Sequence, residues 1–473
     1  MSFTDYHYYF FLFLLLLFLI FIKNDCRWVF LLLFSIIFYA YGQWEYLLLL
    51  LVSITIDYSC ALKIEKSENL LKRRLWLIVS LLSNLGILFF FKYFTTFYEN
   101  WSWIEARQSI LYSQFESIIL PLGLSFYTLQ SMGYTIDVYK KLIKAERHFG
   151  YFSLYVSFFP QLVAGPIERP QKLLPQLRTP NPISTEKIQS GLFLIGFGLF
   201  KKLVIADRIF VLLNDSLSSY DNLLGWQALG FGTLAIFAVY MDLSAYTDIA
   251  RGSARLFGIE LSINFNRPFL ARSLGEFWQR WHISLSSWIM TYVFRPLAQL
   301  SRSSIYRHLA LIVTFLIIGL WHGPTSPFLL MGALQGCVIV LERITASHGY
   351  TWPKSKIFNS LRILRTHLFL NISGVLFLSP SMDTAIKIYS QIFNHRAFLD
   401  TSIIMSQLHG TTFSILLAGG FLTMTTASLF KIRIVEAISN LSTIGRFLLL
   451  YAVFFITIAF AERGSNEFLY FVF

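Results

Sequence analysis

Long runs of apolar residues with almost no charge punctuate this chain, and nothing else in it restricts the possible folds so strongly. They recur at about 8–22, 28–41, 46–62, 75–97, 118–138, 150–164, 191–213, 226–250, 309–341, 366–379, 411–430 and 445–461. A helix takes about 20 apolar residues to cross a bilayer, and in hydrocarbon each backbone polar group must be satisfied inside the segment. Such runs therefore predict membrane helices. Hydrophobic residues make up 55% of the 473 and charged ones only 14%, which excludes an ordinary soluble enzyme. With a short loop after each span, the length allows about ten to thirteen crossings. The expected fold class is an all-α polytopic membrane protein, built as one integral-membrane domain over residues 1–473.

The net charge is +13, an excess that on a soluble chain would suggest nucleic acid. Here the cations sit in loops between apolar runs, so the expected partner is the lipid bilayer and no nucleic acid. Lys63, Lys66, Lys72, Arg73 and Arg74 form one basic loop, and Lys140, Lys141, Lys144 and Arg147 another. Both fit the excess of Lys and Arg on cytoplasmic loops. Between them Glu99, Glu105 and Glu116 face a single Arg107, as an external loop would. Three spans before residue 63 then place the N-terminus outside. The first run, Tyr8 to Ile22, has no basic residue ahead of it and no small-residue cleavage site, and is expected to be a retained span. Cys26, Cys60 and Cys337 are too scattered for a disulfide framework or a zinc site, and no metal is expected.

Two regions break the pattern. Six prolines between Pro160 and Pro182 require loop, re-entrant or broken helix. Further on, Trp281 to Phe294 is fourteen uncharged residues bounded by Arg280 and Arg295. As a helix it would cover about 21 Å, too short for a core of about 30 Å. Trp278, Trp281, His282, Leu285, Trp288, Ile289 and Tyr292 recur at three- and four-residue spacing, which predicts one aromatic helical face at the headgroup boundary or against a cavity. Residues 309–341 carry no charge but contain Trp321-His322-Gly323-Pro324. As one helix they would reach about 50 Å, whereas two spans and a turn would take more than about 40 residues. The arithmetic predicts a break within the membrane depth, with His322 beside a cavity.

Ionisable residues inside a membrane are functional-site candidates, and His322 is the histidine placed at such a break. A neutral imidazole there can take a proton from an attacking hydroxyl; the plainer alternative is that it caps broken backbone. His282, next to Arg280 and among tryptophans, reads either as a second pocket residue or as part of an interfacial helix. Asp242 and Asp248 lie six residues apart, off any shared helical face, and are expected to close polar contacts to a neighbouring helix or to an Arg such as Arg251. Asp57 and Asp137, each near a span end, read as interfacial. Gly191, Gly196 and Gly198 read as helix-packing positions. No nucleotide-binding loop, dinucleotide glycine fingerprint or H-E-x-x-H is present.

The string Glu276-Phe-Trp-Gln-Arg-Trp-His282-Ile-Ser-Leu-Ser-Ser-Trp288, followed forty residues after His282 by Gly319-Leu-Trp-His322-Gly323, resembles the membrane-bound O-acyltransferase (MBOAT) family. The bacterial branch of alginate O-acetyltransferase and the D-alanine transfer protein is the nearer match. Pro121–Tyr127, Ser157–Ile167, Tyr246–Ala250, Leu256–Gly258, Asn264–Phe269 and the terminal Phe468–Phe473 are similar as well, so the likeness covers nearly the whole chain. It departs from the branch at Ile289–Gln299 and at Gln335-Gly336, which leaves donor and acceptor open.

The resemblance implies about eleven transmembrane helices, with re-entrant and interfacial helices, around a central tunnel. It makes His322 the essential histidine and His282 the second, and makes Asn264, Trp278, Arg280, Trp281, Ser284, Trp288, Trp321 and Asp248 candidates for the tunnel wall. It implies no tightly bound cofactor. An acetyl-CoA or acyl-carrier thioester would serve as cytoplasmic co-substrate, and an extracytoplasmic SGNH-type acyltransferase or a short membrane acceptor protein as partner, in a bacterial inner membrane. The expected reaction moves an acyl group, acetyl first among the candidates, to a hydroxyl of an envelope polysaccharide or of a partner protein. The residues alone also admit a proton-coupled transporter or flippase with its site at 309–341, or a non-catalytic scaffold.

Overall fold

The computed structural model describes residues 2–94, 120–218, 220, 223, 225–350, 352–353, 355–392, 441–461 and 468. The acidic loop at 99–116, the apolar run at 411–430 and residues 469–473 lie outside the described residues. Among those described there are helices and no strand, as an apolar chain in a bilayer requires. Seven helices are long and apolar enough to cross a membrane, and Tyr6–Phe21 and Ile444–Phe460 are shorter apolar helices.

The chain divides into two compact units, one mainly from Met1–Gly198 and Tyr246–Ser262, the other mainly from Leu199–Ala245 and Ile263–Leu469. In the first, three helices, Tyr6–Phe21, Arg27–Gln43 and Leu47–Lys66, precede the first basic loop, as expected. Asn69 caps the next helix, Leu70–Lys92, by accepting from the Leu71 and Lys72 amides. Arg73, in the first turn of that helix, donates to the carbonyl of Tyr139 at the end of Leu124–Tyr139, so the two basic segments meet there, and the Tyr58 hydroxyl, from midway along Leu47–Lys66, donates to the Arg147 carbonyl. Gly191 and Gly252 face each other so closely that a Cβ on either would strike the other's carbonyl, the packing role expected of Gly191. The proline-rich stretch is broken into the short helices Phe159–Leu162 and Pro170–Arg178, joined by a turn at 163–165 and irregular backbone over 166–169.

Asp57 corrects the interfacial expectation. It is fully buried midway along Leu47–Lys66, accepts from Ser80 Oγ at 2.6 Å and from Asn84 Nδ2 at 2.9 Å, and so ties that helix to Leu70–Lys92. Asp137 sits near a helix end but is also buried, accepting from Gln171 Nε2 at 2.7 Å. A carboxylate withdrawn from water needs such donors, which hydrophobicity alone does not reveal.

In the second unit residues 309–341 are not one broken helix. They belong to two antiparallel helices, Ser304–His322 and Ser326–Ser347, joined by Gly323, Pro324 and Thr325. Both helices extend beyond the charge-free residues, with Arg307 and His308 inside the first and Glu342 and Arg343 inside the second. The glycines set the spacing: a Cβ on Gly319 would strike the Phe328 carbonyl, one on Gly332 the Phe315 carbonyl, and one on Gly336 would lie 3.0 Å from Ile312 Cα. From Leu309, just past the charged turn, to His322 the helix rises about 21 Å, less than the roughly 30 Å core.

A second correction concerns the aromatic stretch. It is not one helical face but three pieces: helix Leu274–Arg280, an interruption at Trp281 and His282, and helix Ile283–Ile289 running into a π-helical turn, Met290–Phe294.

Candidate active site

The interruption builds the site. His282 has φ 42° and ψ 53°, the left-handed region that a bulky residue enters at a cost of roughly 1–3 kcal/mol. Residues 264–266 lie alongside and hold it there. The Asn266 amide donates to the Arg280 carbonyl and the Ile283 amide to the Asn264 carbonyl, each at 2.8 Å. The Asn264 side-chain oxygen accepts from the Ser284 amide at 3.1 Å and the Ser284 hydroxyl at 2.9 Å. His282 is thereby turned into the interior, where burial pushes its imidazole from the ordinary 6.5 down to about 4, so the ring is neutral across the physiological range.

His322, also buried, ends the helix Ser304–His322. Its ring stacks on Phe328 at 5.8 Å and meets Phe377 edge-on at 5.1 Å. Trp321 touches both histidines, with ring centroids 5.0 Å from His322 and 6.4 Å from His282. Residues forty apart in sequence are thus gathered around one indole.

Beneath them opens a cavity of about 1210 Å³. It reaches Ile318, one turn before His322, and Ile283, next to His282. Trp278 forms part of its wall, fixed by donating to Gln335 Oε1 at 2.7 Å, while Gln335 donates to Ser373 at 3.3 Å. Its inner lining is apolar, with Ile289, Leu311, Phe315 and Ile339. Its outer lining is cationic and aromatic, with Arg343, Lys356, Arg362 and Arg365 beside Tyr350 and Trp352. Arg365 pairs with Glu342 at 2.8 Å, whereas the Nε of Arg362 is buried and makes no hydrogen bond among the described residues. The cations gathered at this end, Arg343, Lys356 and Arg362 beside the Glu342-paired Arg365, fit an anionic occupant.

Of the other residues singled out from the sequence, Arg280 is engaged by Glu276 at 2.7 Å, Trp281 stacks on Phe277 at 5.1 Å, and Trp288 packs on Tyr292 at 5.0 Å. Burial raises the Glu276 carboxyl, but the Arg272 amide and the Arg280 and Arg272 charges outweigh it and hold it below the usual range. Asp248 is not gathered with them: it belongs to the first unit, 3.6 Å from Arg251. Asp242 instead meets a neighbouring helix, as one of its expected contacts required. The outer cations and Trp352 are not among the residues that the sequence singles out, and the signal for them is a basic, tryptophan-bearing stretch from Arg343 to Arg365 between apolar runs.

The MBOAT, membrane-bound O-acyltransferase, family model matches residues 144–379, which include the whole cavity lining and both histidines. The chain is 35% identical over 394 residues to the peptidoglycan O-acetyltransferase of Helicobacter pylori, covering 76% of this chain and 72% of that one. The chain belongs to the membrane-bound O-acyltransferase family. A probable alginate O-acetylase of Pseudomonas aeruginosa is 30% identical over 370 residues, 78% of this chain and 70% of its own. The teichoic acid D-alanyltransferase of Streptococcus thermophilus is 26% identical over 292 residues, 59% and 70%. This MBOAT protein is accordingly a multi-pass bacterial membrane enzyme, an O-acyltransferase of the bacterial branch.

Proposed function

We propose that the protein transfers an acetyl group from a cytoplasmic thioester to a hydroxyl presented from the far side of the inner membrane, on an envelope polysaccharide or on a partner protein that relays it. The observation that carries this reading is the cavity, cationic outside, apolar inside, and ending one turn from His322. An anionic thioester such as acetyl-CoA, or the phosphopantetheine arm of a carrier protein, suits that gradient, with phosphates at Arg362 and Lys356 and the acyl end toward the histidines. On this reading His322 takes the proton of the acceptor hydroxyl as its oxygen attacks the thioester carbonyl. The carbon–sulfur bond then breaks and the thiolate leaves toward the cytoplasm. His282, neutral, orients or polarises the carbonyl through an N–H.

Both basic loops at one end of the first unit support placing that end in the cytoplasm and the N-terminus outside. The names of the relatives, which concern peptidoglycan, alginate and teichoic acid, support an envelope acceptor. An extracytoplasmic SGNH-type acyltransferase or a short membrane acceptor protein would complete the relay. Mass spectrometry of envelope fractions tests the reading. Cells carrying His322→Ala at wild-type protein level should lose the acyl mass, and retained acylation would sink the assignment.

A further inference from the structure

The backbone at His282 poses a question that the catalytic reading leaves open. A histidine at the N-terminal boundary of a helix normally leaves the first amides without a side-chain partner, and His282 indeed makes no capping bond of its own. Yet the Ser284 amide is satisfied, because Asn264, twenty residues earlier, reaches across and accepts from it and from the Ser284 hydroxyl. The same residue's carbonyl takes the Ile283 amide. Asn264 is itself buried. One residue thus satisfies both amides that follow His282, while Asn266 secures the carbonyl that precedes Trp281. The left-handed conformation is held from outside its own helix.

We infer that Asn264 is the positioning residue for His282: its side-chain and main-chain oxygens accept from the two amides that follow and keep the imidazole turned toward Trp321. This rests on the reading of His282 as part of the acyl-transfer site. With the side-chain oxygen removed, the Ser284 amide and hydroxyl lose their acceptor, and relaxing His282 out of the left-handed region becomes the favoured response. The ring then swings while the fold persists, since the main-chain bonds of 264 and 266 remain. Aspartate offers the same acceptor geometry and is an equally good cap; leucine has the size without the acceptor.

Envelope acylation, measured by mass spectrometry in cells making each full-length variant at equal level, is the test, with melting in detergent as the check on folding. Asn264→Leu should lower acylation about tenfold, His282→Ala at least as much, and the double variant no further than His282→Ala alone. Asn264→Asp should keep at least a third of the wild-type level, and Ser284→Ala, which deletes only one of the two donors, should lose no more than about threefold. A further tenfold drop in the double variant, or a tenfold loss in Asn264→Asp at normal melting temperature, overturns the positioning role. Full activity in Asn264→Leu beside an inactive His282→Ala overturns it too. Wild-type acylation in His282→Ala would instead overturn the catalytic reading of that histidine. If Asn264→Leu does not accumulate, the aspartate and serine variants still decide the matter by the same thresholds.

Discussion

Replacing Lys202 by methionine should be among the most damaging single changes in the second unit. Its Nζ lies 2.9 Å from Asp207 Oδ1 and 2.8 Å from Asp242 Oδ1, and all three side chains are fully buried. Lys202 and Asp207 sit in and after a π-helical turn, Phe200–Ala206, and Asp242 comes from the helix Gly225–Leu256. Methionine matches the length of the lysine stem, so little packing is lost. What remains is a pair of carboxylates sharing a site built around a cation. Removing one partner of a buried ion pair costs roughly 3–5 kcal/mol, because the charge left behind is uncompensated. Lys202 bridges two carboxylates here, which places Lys202→Met within that range or forces proton uptake. The triple variant Lys202→Met, Asp207→Asn, Asp242→Asn removes all the charge together and should recover most of the loss, within about 2 kcal/mol of the wild type. Denaturation in detergent micelles, followed by tryptophan fluorescence and by size-exclusion recovery, measures both. A single variant within about 1 kcal/mol of wild type, or a triple variant no better than the single, would refute the reasoning.

The cavity and His282 each give a further expectation. Arg362→Ala, and separately Lys356→Ala, should raise KM for an anionic thioester about tenfold and leave kcat within about twofold, because the proposed binding mode sets them at the end of the donor remote from the chemistry; an unchanged KM with a fallen kcat would place the donor elsewhere. The His282 imidazole is depressed to about 4 from 6.5, so the stability it contributes is fully present above pH 6.5 and is lost as pH falls toward 4. Between pH 7 and pH 5 the wild type should lose about 2 kcal/mol more than His282→Asn, and parallel pH profiles would show that the histidine is not buried neutral.

The sequence made some of this plain and hid the rest for definite physical reasons. Apolar runs announce helices in a bilayer, and the strings around His282 and His322 announce the family, because both are local. The hairpin 304–347 is hidden because its charges do not mark the helix ends: Arg307 and Glu342 lie inside the helices. The break at His282 has no Gly or Pro to signal it; bonds from Asn264 and Asn266 impose it, and such tertiary bonds leave no periodicity. Lys202 and Asp207 are five apart, a spacing that an α-helix does not bring together, so the pair escapes a reading by threes and fours. Asp242 is forty residues further on.

The left-handed backbone at 282 also acts as a filter on which amino acids the position can host. Glycine enters that region freely, and asparagine, aspartate and histidine enter it more readily than other side chains, while β-branched residues are nearly excluded. Drift at this position is confined first by geometry and only then by chemistry. The substitutes that keep this backbone with least strain are glycine, asparagine and aspartate, so a loss of the imidazole can still leave a hydrogen-bonding side chain in its place.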